Sequence, residues 1–211
     1  MPDWSKLSLF ISVTLALVFM PGPNTLYIIA RSVNQGRKAG VVSSLGVQTG
    51  SLIHIAAAAL GLSALLLSSA LAFGVVKYAG AAYLICIGVK TLLTKETAGQ
   101  ALEVKTASLR RVFYQGVVVN LLNPKTTLFF FAFLPQFIDP ARGRVGTQII
   151  SLGAILILFG TLSDMTYALA AGSVGNWLRG NLRFLRAQRY FAGSIYLGLG
   201  AATALGGTHK K

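Results

Sequence analysis

Apolar residues dominate long windows of this chain, and short polar or basic stretches separate them. The apolar windows cover about 7–30, 41–67, 75–93, 112–138, 146–171 and 190–206. Each is close to the roughly 20 residues a helix needs to cross a bilayer. The pattern predicts an all-α polytopic membrane protein with six transmembrane helices. The longest polar stretch is residues 94–111, where Lys95, Glu96, Gln100, Glu103, Lys105, Arg110 and Arg111 interrupt the apolar pattern. It reads as a cytoplasmic linker between residues 1–93 and 112–211, within one transporter domain spanning 1–211. A signal peptide competes for the first window. That window runs on past two prolines to Ala30, and no small-x-small cleavage site follows, so it is expected to be retained.

Two of the windows are broken inside. The first carries Pro21-Gly22-Pro23-Asn24-Thr25, and the fourth carries Asn120-Leu121-Leu122-Asn123-Pro124-Lys125-Thr126. Proline lacks the backbone donor and clashes with the carbonyl four residues earlier. Pro21 and Pro23 are therefore expected to free the carbonyls of Leu17 and Phe19. In hydrocarbon such groups persist only where protein or a wet cavity meets them. Paired breaks in corresponding places of two halves point to the binding site of a transporter. The second window also holds Gly46 and Gly50, a small-xxx-small face that lets helices approach closely.

The two halves resemble each other in order. Pro23-Asn24-Thr25-Leu26-Tyr27 aligns with Pro124-Lys125-Thr126-Thr127-Leu128-Phe129, with one extra residue. Gly50-Ser51-Leu52-Ile53-His54 sets on Gly160-Thr161-Leu162-Ser163-Asp164, and Lys77-Tyr78 on Arg189-Tyr190. Three spans per half would place the halves in opposite orientations, as two inverted three-helix repeats with proline-broken first and fourth helices. The connections after the odd-numbered spans hold twelve Lys and Arg against six in the remaining connections and ends. The positive-inside rule puts the richer set in the cytoplasm and both termini outside.

Composition narrows the function classes. The chain is 54% apolar and 11% charged, against roughly 25% charged in soluble domains. The net charge of +14 could suggest nucleic acid. Its spread over short loops instead reads as topology, and no nucleic-acid partner is expected. Cys86 is the single cysteine; no intrachain disulfide can form, and it reads as a small core residue.

Candidate chemistry gathers at the breaks. Asn123 followed by Pro124 reads as an N-cap and a proline at the first helical position, and Gly22-Pro23 can do the same. Each break then restarts a half-helix whose N-terminal N–H groups favour an anion. Both breaks fall near the middle of a core about 30 Å thick, and Lys125 adds a positive charge there. The candidate substrate-binding set is Pro21, Gly22, Pro23, Asn24, Thr25, Asn120, Asn123, Pro124, Lys125 and Thr126, arranged for a carboxylate. Gln48 is further candidate lining. The plain alternative is a pair of structural kinks packed on each other. Asp164 is the deepest acidic residue. It either neutralises Lys125, or it binds a substrate ammonium and carries a proton. His54 is a second candidate for proton coupling because imidazole titrates near neutrality.

Pro21-Gly22-Pro23-Asn24, Asn123-Pro124-Lys125 and the apolar Phe129–Phe137 run with Pro135 together resemble the LysE/RhtB family of amino-acid exporters. The likeness extends over essentially the whole chain. It implies a secondary active exporter that moves amino acids or their derivatives out of the bacterial cytoplasm, driven by the proton gradient. The implied location is the bacterial plasma (inner) membrane, multi-pass. The implied partners are a small-molecule amino-acid substrate, protons and the lipid bilayer, with a homodimer left open. The resemblance fixes no role for His54 or Asp164. The alternative is a small-cation or metal-ion transporter, which would want several intramembrane carboxylates or sulfur ligands. A non-transporting membrane assembly protein is a weaker alternative. No metal site or cofactor is expected. Nor is an enzyme: no His-Glu-x-x-His, paired intramembrane aspartates or Gly-x-Ser-x-Gly elbow is present.

Overall fold

The computed structural model describes residues 4–19, 21–68 and 105–180, with scattered helical positions over 75–93 and 186–204. The third and sixth expected spans, and most of the linker, therefore lie largely outside the described residues. Among the described residues every regular element is helical. Helices α1 (Trp4–Phe19) and α2 (Pro23–Gln35) form one bent pair, and α3 (Arg37–Ser68) is continuous. Helices α4 (Leu109–Leu121) and α5 (Pro124–Leu128) open the second bent pair, and α6 (Val145–Gly180) is continuous. By length and apolarity α3 and α6 can each cross a bilayer, and each bent pair can make one more span. The pairs bend by 43° and 53° at the two proline breaks.

Several boundaries differ from the apolar windows, for one reason. Charge ends an apolar run but does not end a helix. The Ser108 side chain accepts from the Arg111 N–H at 3.4 Å and starts α4 at Leu109, so the linker stops short of residue 111. Helix α6 runs on past Ala171 to Gly180. Arg31, counted above with a basic loop, lies inside α2 and is only 3% exposed. Removing it leaves eleven basic residues against six, so the orientation argument keeps its sign. Cys86 is exposed, not a core residue.

Beyond Leu128 the chain does not stay α-helical. It widens to a π-turn over Phe129–Phe133 and tightens to a 3-10 turn over Leu134–Phe137. Pro135 supplies a reason: its nitrogen cannot donate, and its ring presses on the Phe131 carbonyl. The aromatic residues of this stretch pack on α1. Phe10 is fully buried, with its ring 5.8 Å from Phe129, 6.2 Å from Phe133 and 5.2 Å from Phe137. This end of the molecule is closed by apolar contact.

Helix α3 is the hub, packed against α2, α4 and α6. Its small-residue face meets α4 as the sequence pattern implied. A Cβ on Gly46 would lie 2.2 Å from the Phe113 carbonyl oxygen, and one on Gly116 would lie 2.7 Å from the Ser43 carbonyl oxygen. The two glycines let the backbones touch. Because the obstacles are backbone atoms, no rotamer change relieves them. Gly46→Ala is expected to destabilise the protein by at least the ~1–3 kcal/mol typical of overpacking. Gly61→Ala, where an added Cβ meets nothing within 4 Å, is the control. Thermal melts of both variants in one detergent check this; equal melting temperatures would contradict the close crossing.

Candidate functional site

At the first break the chain leaves helical geometry at Gly22, which is extended with φ −143° and ψ −167°. Pro23 takes the first helical position of α2. The first intrahelical bond runs from the Leu26 N–H to the Gly22 carbonyl at 2.9 Å. Helix geometry therefore gives the Asn24 and Thr25 N–H groups no partner within α2. The carbonyls at the end of α1 are taken by side chains of α6. The Tyr167 hydroxyl donates to the Phe19 carbonyl at 3.0 Å, and the Ser163 hydroxyl to the Val18 carbonyl at 3.3 Å. The two carbonyls expected to be freed were Leu17 and Phe19; the side-chain donors go to Val18 and Phe19.

At the second break Asn123 caps α5 as its sequence implied. Its Oδ1 accepts from the Lys125 N–H at 3.0 Å, and its carbonyl accepts from the Thr127 N–H at 3.0 Å. That cap occupies one of the helix-end donors. With only five α-helical residues behind it, this end is weaker than the start of the 13-residue α2. Pro124 displaces the Asn120 carbonyl, four residues back. The Asn123 N–H donates to that carbonyl at 3.0 Å. The Asn120 side-chain amide donates to the Ser51 hydroxyl of α3 at 3.2 Å. A side chain from a crossing helix thus meets each break: Tyr167 from α6 at the first, Ser51 from α3 at the second.

The two breaks meet. The Lys125 side chain lies across Gly22, where an added Cβ would sit 3.5 Å from Lys125 Cδ and 3.8 Å from Nζ. Between them is a cavity of about 80 Å³. Gly22, Asn24 and Thr25 line it from the first break. Asn120, Asn123, Lys125 and Thr126 line it from the second. Helix α3 contributes Gln48 and Ser51, and α6 contributes Gly160 and Asp164. The Gln48 amide donates to Asp164 Oδ2 at 2.8 Å. Gly160 sits one turn before Asp164 on the same face and leaves room for the Gln48 amide, since an added Cβ there would lie 3.0 Å from Gln48 Nε2. Lys125 and Asp164 lie within electrostatic reach of each other. The Asn24 and Asn120 side-chain oxygens are buried with no hydrogen-bond partner among the described residues. The cavity therefore offers a cation, an anion and neutral acceptors within one small volume.

Pro21, Pro23, Pro124 and His54 fall outside this lining. The prolines shape the site without facing it. His54 is buried, with its ring stacked on Phe130 at 5.5 Å and 10°. Ser51 and Gly160 were missed from the candidate set. The signal available for Gly160 was its position one turn before Asp164; for Ser51 the sequence offered none.

An all-helical membrane chain with two proline breaks meeting at a charged interior cavity is built as a transporter is built. The chain belongs to the LysE type translocator family, whose model matches residues 15–207. It is a multi-pass membrane protein of a transporter family. It is similar to the homoserine/homoserine lactone efflux protein of Salmonella typhimurium, at 33% identity over 96% of each chain. It is also similar to a leucine efflux protein of Salmonella typhimurium, at 28% identity over 89% of each chain. A third relative is the uncharacterized membrane protein YrhP of Bacillus subtilis, 32% identical over 93% of this chain and 97% of that protein. No solved structure matches the chain significantly.

Tyr167→Phe removes the hydroxyl that meets the Phe19 carbonyl and leaves the ring in place. It is expected to cost about 1–3 kcal/mol, the penalty for leaving a polar group unpaired. A melting temperature equal to that of the unmodified protein would mean that another donor serves the first break.

Proposed function

We propose that the protein is a secondary active exporter of amino acids or amino-acid derivatives in the bacterial plasma membrane, coupled to the proton gradient. The observation that carries the reading is the meeting of the two helix breaks around one cavity, with Lys125 on one side and Asp164 on the other. A zwitterion has the matching pair of charges. Its carboxylate would lie against the start of α2, at Gly22–Thr25, and Lys125, with the Asn123–Thr126 turn beside it. Its ammonium would lie at Asp164 and the oxygen of Asn24 or Asn120. The names of the efflux relatives support the substrate class.

Charges in the bilayer interior are costly, about 2.5–3.5 kcal/mol each on the lenient scale. An empty carrier holding Lys125 and Asp164 together limits that cost. In this reading Asp164 alternates between a proton and the substrate ammonium, and that exchange couples the two fluxes. His54, outside the cavity lining and stacked on Phe130, is assigned a packing role and not the proton. The fold is read as two inverted repeats of three spans. In support, the C-terminal end of α2 lies beside the N-terminal end of α4, through Gln35 and Ala107. A metal-ion transporter fits less well. Among the described residues no three of His, Cys, Asp and Glu come together.

Counterflow in proteoliposomes with labelled homoserine and leucine tests the substrate class. Asp164→Asn keeps the size and the bond to Gln48 but cannot titrate. It is expected to abolish proton-driven export while retaining exchange of internal for external substrate. Wild-type export rates and pH dependence in that variant would reduce Asp164 to a structural partner of Lys125.

A further inference from the structure

The end of the molecule opposite the Phe10 cluster is closed by a different kind of contact. Arg31 of α2 is only 3% exposed, yet among the described residues the groups it bonds are neutral. Its guanidinium donates to Gln35 Oε1 at 3.0 Å, to the Lys105 carbonyl at 3.0 Å and to Gln115 Oε1 at 2.6 Å. Its Nε–H has no partner among the described residues. Gln35 continues the contact, donating to the Ala107 carbonyl at 2.5 Å and accepting from the Ala107 N–H at 3.2 Å. These bonds hold the end of α2 against the non-helical residues 105–108 and the first turns of α4. Both helices are the arms that lead from this end to the breaks.

Among the described residues this buried arginine bonds only neutral acceptors, which leaves its charge unpaired there. A carboxylate can engage the guanidinium fork through two parallel bonds and adds an opposite charge that the present acceptors lack. It would compete directly with the Lys105 carbonyl and the Gln115 amide. The surroundings favour an anion, since Arg37, Lys38, Arg110 and Arg111 are exposed at this same end. Thr25 of the cavity lies six residues earlier on α2, about 9 Å along the helix axis. An anion held at Arg31 is therefore two turns from the cavity.

We propose that Arg31 is a separate carboxylate-binding site, the point at which substrate is first captured, and that its occupation releases residues 105–108 from α2. The assignment of this end as the entry side rests on the export reading above; the anion site itself does not. Release replaces bonds to neutral acceptors by a bidentate ion pair, so the captured substrate loosens the contact that blocks its path. At the Phe10 end the closure is aromatic, and the Arg142 guanidinium beside it is exposed and already paired with Asp139 at 3.1 Å.

Hydrogen exchange on the full chain in lipid nanodiscs tests this with acetate as the probe. Excess acetate is expected to speed exchange of the Ala107 amide and of the 105–112 segment. Acetamide at the same concentration, and chloride or inorganic phosphate at the same ionic strength, should not. Arg31→Gln should show no acetate response, with exchange along α3 at the unmodified level as the check on folding. Arg31→Lys keeps the charge but loses the fork, and should respond only at higher acetate. In transport, Arg31→Lys should raise the half-saturating substrate concentration about tenfold, with a smaller change in maximal rate, as expected for a lost bidentate contact. No acetate effect on 105–112, an equal effect of chloride or phosphate, or a full response in Arg31→Gln would each overturn the proposal. If the unmodified protein carries no amino acid in liposomes, the export reading falls, while the acetate response still decides whether Arg31 is a carboxylate site.

Discussion

Everything in this structure depends on how the backbone groups released by three prolines are met inside a membrane. An unpaired carbonyl in hydrocarbon costs several kcal/mol, so a broken span is stable only if other helices supply the donors. Helix α6 does so at the first break, through Tyr167 and Ser163. At the second, the Asn123 N–H takes up the Asn120 carbonyl, and Ser51 of α3 accepts from the Asn120 side-chain amide. Satisfying the breaks thus brings the two continuous helices against the two bent pairs. The close α3–α4 crossing at Gly46 and Gly116 then fixes the distance between the breaks.

The same constraint places the chemistry. Once α3 and α6 are held at the breaks, residues one turn away face the space between them. Gln48 precedes Ser51 on α3, and Asp164 follows Ser163 on α6. Their amide and carboxylate meet at 2.8 Å. Lys125, one residue past Pro124, is carried across Gly22. Structural need and polar cavity therefore share their residues, and a change at a break is expected to alter both stability and transport.

Much of this was legible in the sequence, because proline and glycine act locally. The two breaks, the Asn123 cap, the proline at the start of α2 and the close face of Gly46 and Gly50 all follow from rules of a few residues' range. Lys125 and Asp164 stood out as charges inside apolar windows. The donors that serve the first break were not legible, since Ser163 and Tyr167 act across sequence distances that no local pattern reports. The widening at Phe129–Phe133 needs the combined effect of Pro135 and the ring packing on Phe10. Arg31 read as a loop charge because a basic residue at the end of an apolar run looks the same whether it faces water or Gln115.

The central claim is that both breaks form one substrate site. Thr25→Cys and Thr126→Cys, each made with Cys86→Ser, put one thiol at each break within the cavity. Alkylation by a small charged reagent is then followed while L-homoserine or L-leucine is titrated in. A single shared site predicts protection of both thiols at the same ligand concentration. Protection of one thiol alone, or of the two at clearly different concentrations, would contradict it.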